Sequence, residues 1–487
     1  MDKPQKNDHI DIFIEDIGFE GIGIGKTDGN FAVFIPYTVP GDLVQGIVIK
    51  TRKNLAEARL IKIIKPSLSR IDPECAYFGT CNGCKMQHIS YLKQLEIKRN
   101  NVINAFERIG GFKNINVSNV IGTENIYYYR NKLEFSFSAN KWLTDIDIGN
   151  KSSDKNFALG FHKPGFIDKV IDINKCLLQS DISNDILNNS REFFKSLDIS
   201  IYSTKTNEGF LKFLVIRQSA NTNDIMINII TSKDDTALMN EYTEFIITNI
   251  SQHQISPNSF SIIHSVSSRK ANVAQADYFK VLYGKGYLEE KLGNYIFKIS
   301  PFSFFQTNTK QCENLFSTIT KLGDFSKNDN IIDLYCGCGA ISLYISGLVN
   351  SVYGVELSKE AIESANENAA MNNVNNCEFM ESDVKDFLKS IISPEQPEHS
   401  FRDKYNTVIL DPPRSGIHPK AAEYIFKLEP EKIIYVSCNP TTQARDIKLL
   451  SEKYSITEIQ PVDMFPHTFH IENVARLDLI KKVKSVN

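Results

Sequence analysis

Three cysteines lie within ten positions of the sequence, at Cys75, Cys81 and Cys84. Closely spaced thiolates are typical ligands of zinc ions and of iron–sulfur clusters, and both need a fourth ligand beyond these three. The first residues hold no apolar stretch of the kind found in secretory signals, so we expect a cytoplasmic protein whose thiols stay reduced. The nine cysteines of the chain therefore indicate metal binding or catalysis rather than a disulfide framework.

A second set of reactive residues follows strand-like segments in the last third of the chain. Five apolar runs there alternate with helical patterns, which is typical of an α/β domain with a parallel sheet. In order they read NIIDLYCG, SVYGVEL, NCEFMESD, YNTVILDPP and KIIYVSCNP, from residue 330 to residue 440. Because the carboxyl ends of parallel strands meet at one edge of the sheet, we expect the residues that end these runs to share one ligand cleft.

The loop after the first of these strands favours S-adenosylmethionine as the ligand. Gly337 and Gly339 let the backbone approach a ligand closely, although a tight turn between a strand and a helix uses the same glycines. Glu356 ends the second strand, where an acid binds ribose hydroxyls, and Asp383 ends the third, within reach of an adenine amino group. The loop lacks the third glycine of a dinucleotide motif. Asp333 at its mouth suits a positively charged centre better than a pyrophosphate.

Cys438 and Glu472 are the candidates for covalent and acid–base chemistry. Cys438 ends the fifth strand, beside the strand that carries Asp411, so its thiol is expected at the cleft edge. A buried cysteine that serves as a small apolar residue has the same pattern. A nucleophilic thiol also needs a lowered pKa or a neighbouring base. Glu472 follows an aromatic and histidine-containing loop, on a final strand that returns toward the same cleft.

The elements that must position these residues divide the chain into several parts. The N-terminal part reads as short strands and turns, which predicts a five-stranded barrel of the kind that offers one face to nucleic acid. The predicted parts are a barrel at 1–66, a central mixed α+β domain at 67–89 and 113–298, a helix at 90–112 that packs on the catalytic domain, and a C-terminal α/β domain at 299–487. Residues 139–157 and 391–404 are predicted polar surface insertions.

The predicted helix shows apolar residues at helical spacing and a stop signal. Leu92, Leu95, Val102, Phe106 and Ile109 predict its buried face, and a pair of glycines ends it. Residues 50–99 around it hold seven Lys and four Arg against one Asp and three Glu, a net charge of +7, in a chain whose net charge is −3. Such a basic region suits the docking of a polyanion, or is simply a solvated face.

Several motifs, in this order, resemble the RNA uracil-C5-methyltransferase family. They are FFQTN (304–308), DLYCGCGAISL (333–343), GVELS (354–358), LDPPRSG (410–416), YVSCNP (435–440) and HIENVARL (470–477). The segment GIGIGKTDGNFAVFIP…VPGD is similar to a TRAM domain. The resemblance covers nearly the whole chain and implies an α/β protein with a Rossmann-like class I methyltransferase domain after a TRAM/OB-like barrel.

The resemblance also implies a mechanism and its residues. Attack of the Cys438 thiolate on C6 of uracil makes a covalent adduct, and Glu472 acts as the general base that removes the C5 proton. The residues that the resemblance implies in cofactor binding are Gln306, Tyr335, Glu356, Asp383 and Asp411. Gln306 and Asp411 are expected near the target base as well. Ala340 stands where family members often have Asn, so no role is assigned to it.

The fourth cysteine of the opening motif also comes from the resemblance. The family members that act on large ribosomal RNA carry a [4Fe-4S] cluster on a C-x5-C-x2-C motif and a distant fourth cysteine. Cys75, Cys81 and Cys84 match that motif, and Cys176 in DINKC supplies the fourth ligand. A zinc ion on the same four thiolates is the competing interpretation. We expect a structural or RNA-docking role, since methyl transfer needs no electron.

The expected activity is therefore methylation of C5 of a uridine in RNA, with 23S rRNA favoured because TRAM domain and cluster occur together. The alternatives are a tRNA uracil-C5-methyltransferase, a radical S-adenosylmethionine RNA-modifying enzyme and a non-catalytic iron–sulfur RNA-binding protein. The run YYYRNK (127–132) could stack on bases or contact the RNA backbone, or belong to a strand of the central domain. No membrane span and no obligate protein partner are expected, so we predict a monomer.

Overall fold

The computed structural model describes residues 3–144, 147, 155–253, 256–392 and 404–480. Of the two predicted polar insertions, residues 145–146, 148–154 and 393–403 lie outside the described ranges. Among the helices that are described, none combines the length and the apolar character that crossing a membrane requires.

Alternating apolar residues close the N-terminal strands into a barrel. The strands are β1 (His9–Ile17), β2 (Gly23–Lys26), β3 (Ala32–Ile35), β4 (Leu43–Thr51) and β5 (Leu55–Lys65), in the order β1-β2-β3-β5-β4. Every second side chain points into the barrel, among them Ile10, Ile12, Ile14, Val44 and Val48. This arrangement confirms the predicted five-stranded barrel.

Helix α1 (Tyr91–Ala105) packs through a face that is partly polar. A short π-helical turn, Phe106–Gly110, continues it, and Gly111 ends it with φ of +77°. Val102 and Phe106 join one apolar core with residues of the C-terminal sheet and its helices. The predicted apolar face is wrong at Leu92 and Ile109, which are exposed. The buried face includes instead the polar side chains of Gln94 and Lys98, because both find partners inside the protein.

The central part of the chain is built on a mixed seven-stranded sheet. Its strands are β6 (Lys132–Ser138), β7 (Ala158–His162), β8 (Val170–Asp172), β9 (Leu211–Gln218), β10 (Ile225–Thr231), β11 (Phe260–Val266) and β12 (Tyr278–Tyr283), in the order β12-β11-β10-β9-β6-β7-β8. Helices α2 (Asp181–Ser196) and α3 (Thr236–Ile250) share one apolar core with this sheet. A separate hairpin of β13 (Leu288–Leu292) and β14 (Tyr295–Ile299) leads into the C-terminal part.

The C-terminal part alternates strands and helices around a second seven-stranded sheet. Its elements are α4 (Thr309–Gly323), β15 (Asn330–Leu334), α5 (Ala340–Ser346), β16 (Ser351–Glu356), α6 (Lys359–Met371), β17 (Cys377–Glu381), α7 (Val384–Ile392), β18 (Thr407–Leu410), α8 (Pro419–Leu428), β19 (Lys432–Ser437), α9 (Pro440–Leu450), β20 (Tyr454–Val462) and β21 (Glu472–Leu479). The strand order is β17-β16-β15-β18-β19-β21-β20, and the first five are parallel. The predicted Rossmann-like α/β architecture is confirmed.

Candidate active site

A cleft of about 1400 Å³ opens at the carboxyl edge of the C-terminal sheet. Its wall contains the seven residues to which the resemblance assigns a catalytic or cofactor-binding role: Gln306, Tyr335, Glu356, Asp383, Asp411, Cys438 and Glu472. Because β21 runs antiparallel to β19, its first residue reaches the same edge as the last residues of the parallel strands. The strand order reverses between β15 and β18, where ligands bind in sheets of this kind.

The loop after β15 presents its backbone to the cleft. Gly337 has φ of +55°, and a methyl group added there would have no described atom within 4 Å. The N–H of Gly337 donates to Glu356 Oε2 at 3.2 Å, while Glu356 Oε1 accepts from the N–H groups of Leu357 and Ser358 at 2.8 and 3.0 Å. Tyr335 also adopts a positive φ of 65°, a backbone conformation that is strained for a tyrosine. The loop and the Glu356 carboxylate are thus held together at the cleft wall.

Asp333 does not stand at the mouth of this loop, which corrects the sequence-based expectation. It lies within β15, fully buried, and is not among the described residues that line the cleft. The hydroxyl of Ser342 donates to its Oδ2 at 2.5 Å, and within the described part of the chain its Oδ1 has no hydrogen-bond partner. Burial raises the pKa of Asp333 to about 7. Asp333 therefore lies beneath the site and not in its wall.

Two further predicted residues are held by neighbouring backbone and amide groups. Asp383 Oδ1 accepts from the N–H groups of Lys385 and Asp386 at 2.8 and 3.3 Å, which caps the first turn of α7. The carbonyl oxygen of Gln306 accepts from Asn131 Nδ2 at 2.9 Å, so the residue just before β6 of the central sheet fixes this part of the wall.

Cys438 and Glu472 lie side by side at the carboxyl edge. The residue before Cys438, Ser437, pairs with Asn473, the residue after Glu472. Burial, followed by the charge of Glu472, raises the pKa of the Cys438 thiol to about 11. Burial, followed by the charge of Asp411, raises the pKa of Glu472 well above its usual range. Burial therefore favours the neutral form of both groups in the free protein.

Arg414 is the functional candidate that the sequence analysis missed. Its guanidinium lowers the pKa of both Cys438 and Glu472, through charge and, for Cys438, through a hydrogen bond as well. Arg414 lies three residues after Asp411 in LDPPRSG, one of the motifs that resemble the family. Its place in that motif is the sequence signal that could have identified it. A guanidinium beside a cysteine stabilises the thiolate that nucleophilic attack requires.

The loop that precedes Glu472 is attached to the cysteine-rich segment. The N–H groups of Lys85 and Met86, directly after Cys84, donate to the His467 carbonyl oxygen at 2.8 and 2.9 Å. The N–H of His467 in turn donates to Gln94 Oε1 at 2.9 Å. The conformation of the loop therefore depends on residues far outside the C-terminal sheet.

The cysteine-rich segment and Cys176 meet at the edge of the central domain. Cys81 and Cys176 pack on the core of its sheet. Burial, together with the neighbouring thiols Cys176, Cys81 and Cys75, raises the pKa of Cys84 to about 12. Over the described ranges, however, no three or more His, Cys, Asp or Glu side chains are arranged so that they could hold a metal ion. The four thiols share one neighbourhood, and the iron–sulfur cluster stays a prediction.

The charge of the cleft wall suits a cationic ligand. Among the described residues that line it, seven carry a carboxyl group and four are lysine or arginine. A sulfonium ion with an adenosine fits such a wall better than a pyrophosphate does. The open space at Gly337, next to the Glu356 carboxylate, is where backbone could approach that ligand.

Comparisons with known proteins agree with this geometry. Residues 243–479 match the sequence model of the tRNA (Uracil-5-)-methyltransferase family, and residues 5–61 match that of the TRAM domain. An uncharacterized RNA methyltransferase of Chlorobaculum tepidum is 38% identical over 97% of this chain and 96% of that protein. Another, of Bacteroides thetaiotaomicron, is 37% identical over 94% of this chain and 99% of that protein.

A solved structure extends the likeness to three dimensions. The tRNA (uracil-54, C5)-methyltransferase of Pyrococcus abyssi, in complex with S-adenosyl-L-homocysteine, has a TM-score of 0.70 and 30% sequence identity, over 96% of this chain and 100% of that chain. The chain therefore belongs to the RNA uracil-5-methyltransferase family of S-adenosylmethionine-dependent enzymes.

Proposed function

We propose that the chain methylates C5 of one uridine in RNA through a covalent adduct between Cys438 and C6 of the base. The observation that carries the proposal is the position of Cys438 beside Glu472, in one cleft with the Glu356 carboxylate. A nucleophile and a candidate base thus share a site with a group suited to hold ribose hydroxyls. We place the activity in the cytoplasm.

The covalent step answers a chemical difficulty. Uracil C5 is a weak nucleophile, and attack of the Cys438 thiolate on C6 moves the electrons of the C5–C6 double bond toward the C4 oxygen. The resulting enolate gives C5 the electron density that methyl transfer needs. The Glu472 carboxylate then takes the C5 proton, the C5–C6 double bond re-forms, and the Cys438 thiolate leaves.

The raised pKa values of Cys438 and Glu472 mean that these reaction steps need help with ionisation. Burial favours the neutral form of the thiol and of the carboxyl, and each must ionise at its own step. Arg414 lowers the pKa of both groups, so we assign it the role of stabilising the Cys438 thiolate. Cys438 also precedes the N-terminus of α9, where the helix dipole favours negative charge.

S-adenosylmethionine supplies an electrophilic methyl group on a sulfonium centre when it is bound. We propose that Tyr335, Glu356 and Asp383 hold it, since they line the part of the cleft next to the glycine loop. Asp411 follows β18, the neighbour of the strand that Cys438 follows, and Gln306 lines the same cleft, so both are proposed to contact the target base as well. The base must leave its stack to reach this cleft, at a cost of roughly a few kcal/mol. Contacts of the RNA with the basic residues 50–99 would offset this cost.

We also propose that Cys75, Cys81, Cys84 and Cys176 hold a [4Fe-4S] cluster. The mutual effect of these thiols on their pKa values supports their closeness. The four thiolates that bind a [4Fe-4S] cluster lie farther from one another than four thiolates that bind one zinc ion. The cluster therefore requires less close sulfur–sulfur distances. Iron and labile sulfide in anaerobically purified protein would support the cluster, whereas zinc without iron would refute it.

The substrate that we propose is 23S rRNA, because of the TRAM barrel and the cysteine set. A transfer RNA is the second candidate, favoured by the likeness to the Pyrococcus abyssi enzyme, which acts on tRNA. Mapping 5-methyluridine in ribosomal and transfer RNA, in cells with and without this protein, separates the two. Loss of one 23S rRNA site is the expected result. Loss confined to tRNA would move the assignment to tRNA, and loss from neither RNA would refute the proposed activity.

A further inference from the structure

A second cavity, of about 400 Å³, lies against the back of the wall that carries Gln306. The two cavities share five residues, Phe302, Ser303, Phe304, Phe305 and Thr307, so one short segment separates them. The polar lining of the second cavity comes mainly from the central sheet and the residues just before it. Arg130, Lys132 and Arg217 face a single carboxylate, that of Glu134.

Arg217 is the unusual member of this group. It lies in β9 and is only 3% exposed. Its Nη2 donates to the Ser303 carbonyl oxygen at 2.9 Å. Nε and Nη1 are buried without a hydrogen-bond partner anywhere in the described ranges. Burying a guanidinium with two unpaired nitrogen donors costs folding free energy, and a bound anion would offset that cost.

The other charges leave the cavity positive. Lys132 pairs with Glu134 at 2.6 Å, so Arg130 and Arg217 have no carboxylate of their own among the residues that line it. Burial, followed by the charge of Arg217, lowers the pKa of Lys132. Burial also lowers the pKa of Arg217, to about 10. A bound anion would favour the charged forms of Lys132 and Arg217 and so raise both pKa values.

The position of this cavity relates it to the active-site cleft. Lys132 and Arg217 are paired neighbours on β6 and β9. Asn131, the residue before Lys132, donates through its backbone N–H to the Thr307 carbonyl oxygen and through Nδ2 to that of Gln306, at 2.8 and 2.9 Å. The cations therefore stand one short backbone segment away from the proposed base site.

We propose that Arg217, with Lys132 and Arg130, forms a subsite for a phosphodiester group of the RNA, next to the nucleotide that enters the cleft. The unpartnered Nη1 of Arg217 can donate to a phosphate oxygen, and Arg130 and Lys132 add positive charge beside it. This inference rests on the proposed function, since it takes the RNA backbone as the source of the anion. Free inorganic phosphate has the same chemistry and is the other possible source.

The test is a binding cycle between protein and RNA. A hairpin that carries the mapped uridine is made with single neutral methylphosphonates at successive positions around that uridine. Its affinity is measured for the wild type, for Arg217→Met and for Lys233→Gln, which removes an exposed charge beyond the far end of β10. Methylation of the unmodified hairpin by the wild type is scored separately and tests the proposed function alone.

The expected result is one methylphosphonate position that weakens wild-type and Lys233→Gln binding roughly tenfold and leaves Arg217→Met binding unchanged. The slope of log Kd against log salt should fall by about 0.7 in Arg217→Met, as for one lost contact to single-stranded RNA. A structural role for Arg217 would instead lower the melting temperature. We expect Arg217→Met to melt no lower than the wild type, because the variant no longer buries a charge.

Other outcomes overturn the inference. If the wild type methylates the hairpin but both proteins respond alike to every methylphosphonate, Arg217 contacts no phosphate of the RNA. If inorganic phosphate stabilises the wild type and not Arg217→Met, without competing with the hairpin, the site serves a free anion. If Arg217→Met does not fold, Lys132→Gln must show a two- to threefold smaller response at that same phosphate, and an unchanged response refutes the subsite.

Discussion

Lys98 Nζ donates to Asp463 Oδ1 at 2.6 Å, and neither side chain is exposed to solvent. The same ammonium group donates to the carbonyl oxygen of Phe465 at 3.0 Å, and the hydroxyl of Tyr91 donates to Asp463 Oδ2 at 3.1 Å. Helix α1 is thereby joined to the loop that leads to Glu472. A buried ion pair of this kind fixes an arrangement, because either charge alone would be left without a partner.

Removal of this ammonium group should be costly. We expect Lys98→Met to lower the free energy of unfolding by about 3–5 kcal/mol, since it leaves the Asp463 carboxylate buried and unpaired. Lys93→Met on the same helix breaks an ion pair whose carboxylate is 56% exposed, so it should cost less than about 1 kcal/mol. Urea unfolding of both variants measures the difference, and equal losses would contradict the structural role of Lys98.

Two glycines of the loop after β15 should respond differently to alanine. A methyl group at Gly337 enters the open cleft, whereas one at Gly339 would lie 2.9 Å from the ring of Phe379. We expect Gly337→Ala to weaken binding of S-adenosylhomocysteine, with a stability loss of about 1–2 kcal/mol from its positive φ. Gly339→Ala should lose roughly 1–3 kcal/mol more, because its methyl also overpacks the wall. Calorimetric binding and thermal melting test this, and wild-type affinity in Gly337→Ala would contradict the ligand position.

Arg414 should control the reactivity of Cys438. With a thiol pKa of about 11, about one molecule in a thousand holds the thiolate at about pH 8, so alkylation should speed up roughly tenfold per pH unit. Because Arg414 lowers this pKa, Arg414→Gln should slow alkylation, and Arg414→Lys should recover part of the rate. Mass spectrometry of the Cys438 peptide after iodoacetamide treatment measures it. The exposed Lys420→Gln is the control, and an alkylation rate in Arg414→Gln equal to that of the wild type refutes the assignment.

Asp333 should make the stability of the protein fall as pH rises. Its pKa of about 7 lies above the usual aspartate value, so the unfolded chain ionises near pH 4 while the folded protein resists ionisation until about pH 7. Asp333→Asn removes this penalty. The free energy of unfolding of Asp333→Asn minus that of the wild type should increase by roughly 2–4 kcal/mol as the pH is raised from about 4 to about 8. The exposed Asp72→Asn should show a much smaller change, and a difference independent of pH would contradict the buried carboxyl.

Much of the site can be predicted from the sequence because its residues end apolar strands. The five parallel strands are mostly apolar, although β15 contains Asp333 and β17 contains two glutamates, and sheet geometry brings their ends together whatever the connecting helices contain. The TRAM-type barrel is predictable for a similar reason, since its alternation of buried and exposed residues is local.

The remaining features depend on contacts between distant residues. Lys98 and Asp463 are 365 positions apart, and nothing local marks a lysine that will be buried. Leu92 and Ile109 have the spacing of a buried face, but the helix turns its polar Gln94 and Lys98 inward to meet the loop at 463–470. Asp333 differs from a cleft residue only by its place one position inside the strand end.

The most direct test of the covalent mechanism uses the Glu472→Gln variant. Without its base, the methylated adduct cannot lose the C5 proton, so the thiolate cannot leave. Incubation with S-adenosylmethionine and the RNA should give a band that resists denaturant, with the RNA joined to the Cys438 peptide. The double variant Glu472→Gln/Cys438→Ala should give none. Methylation of uridine by Cys438→Ala alone would contradict the account.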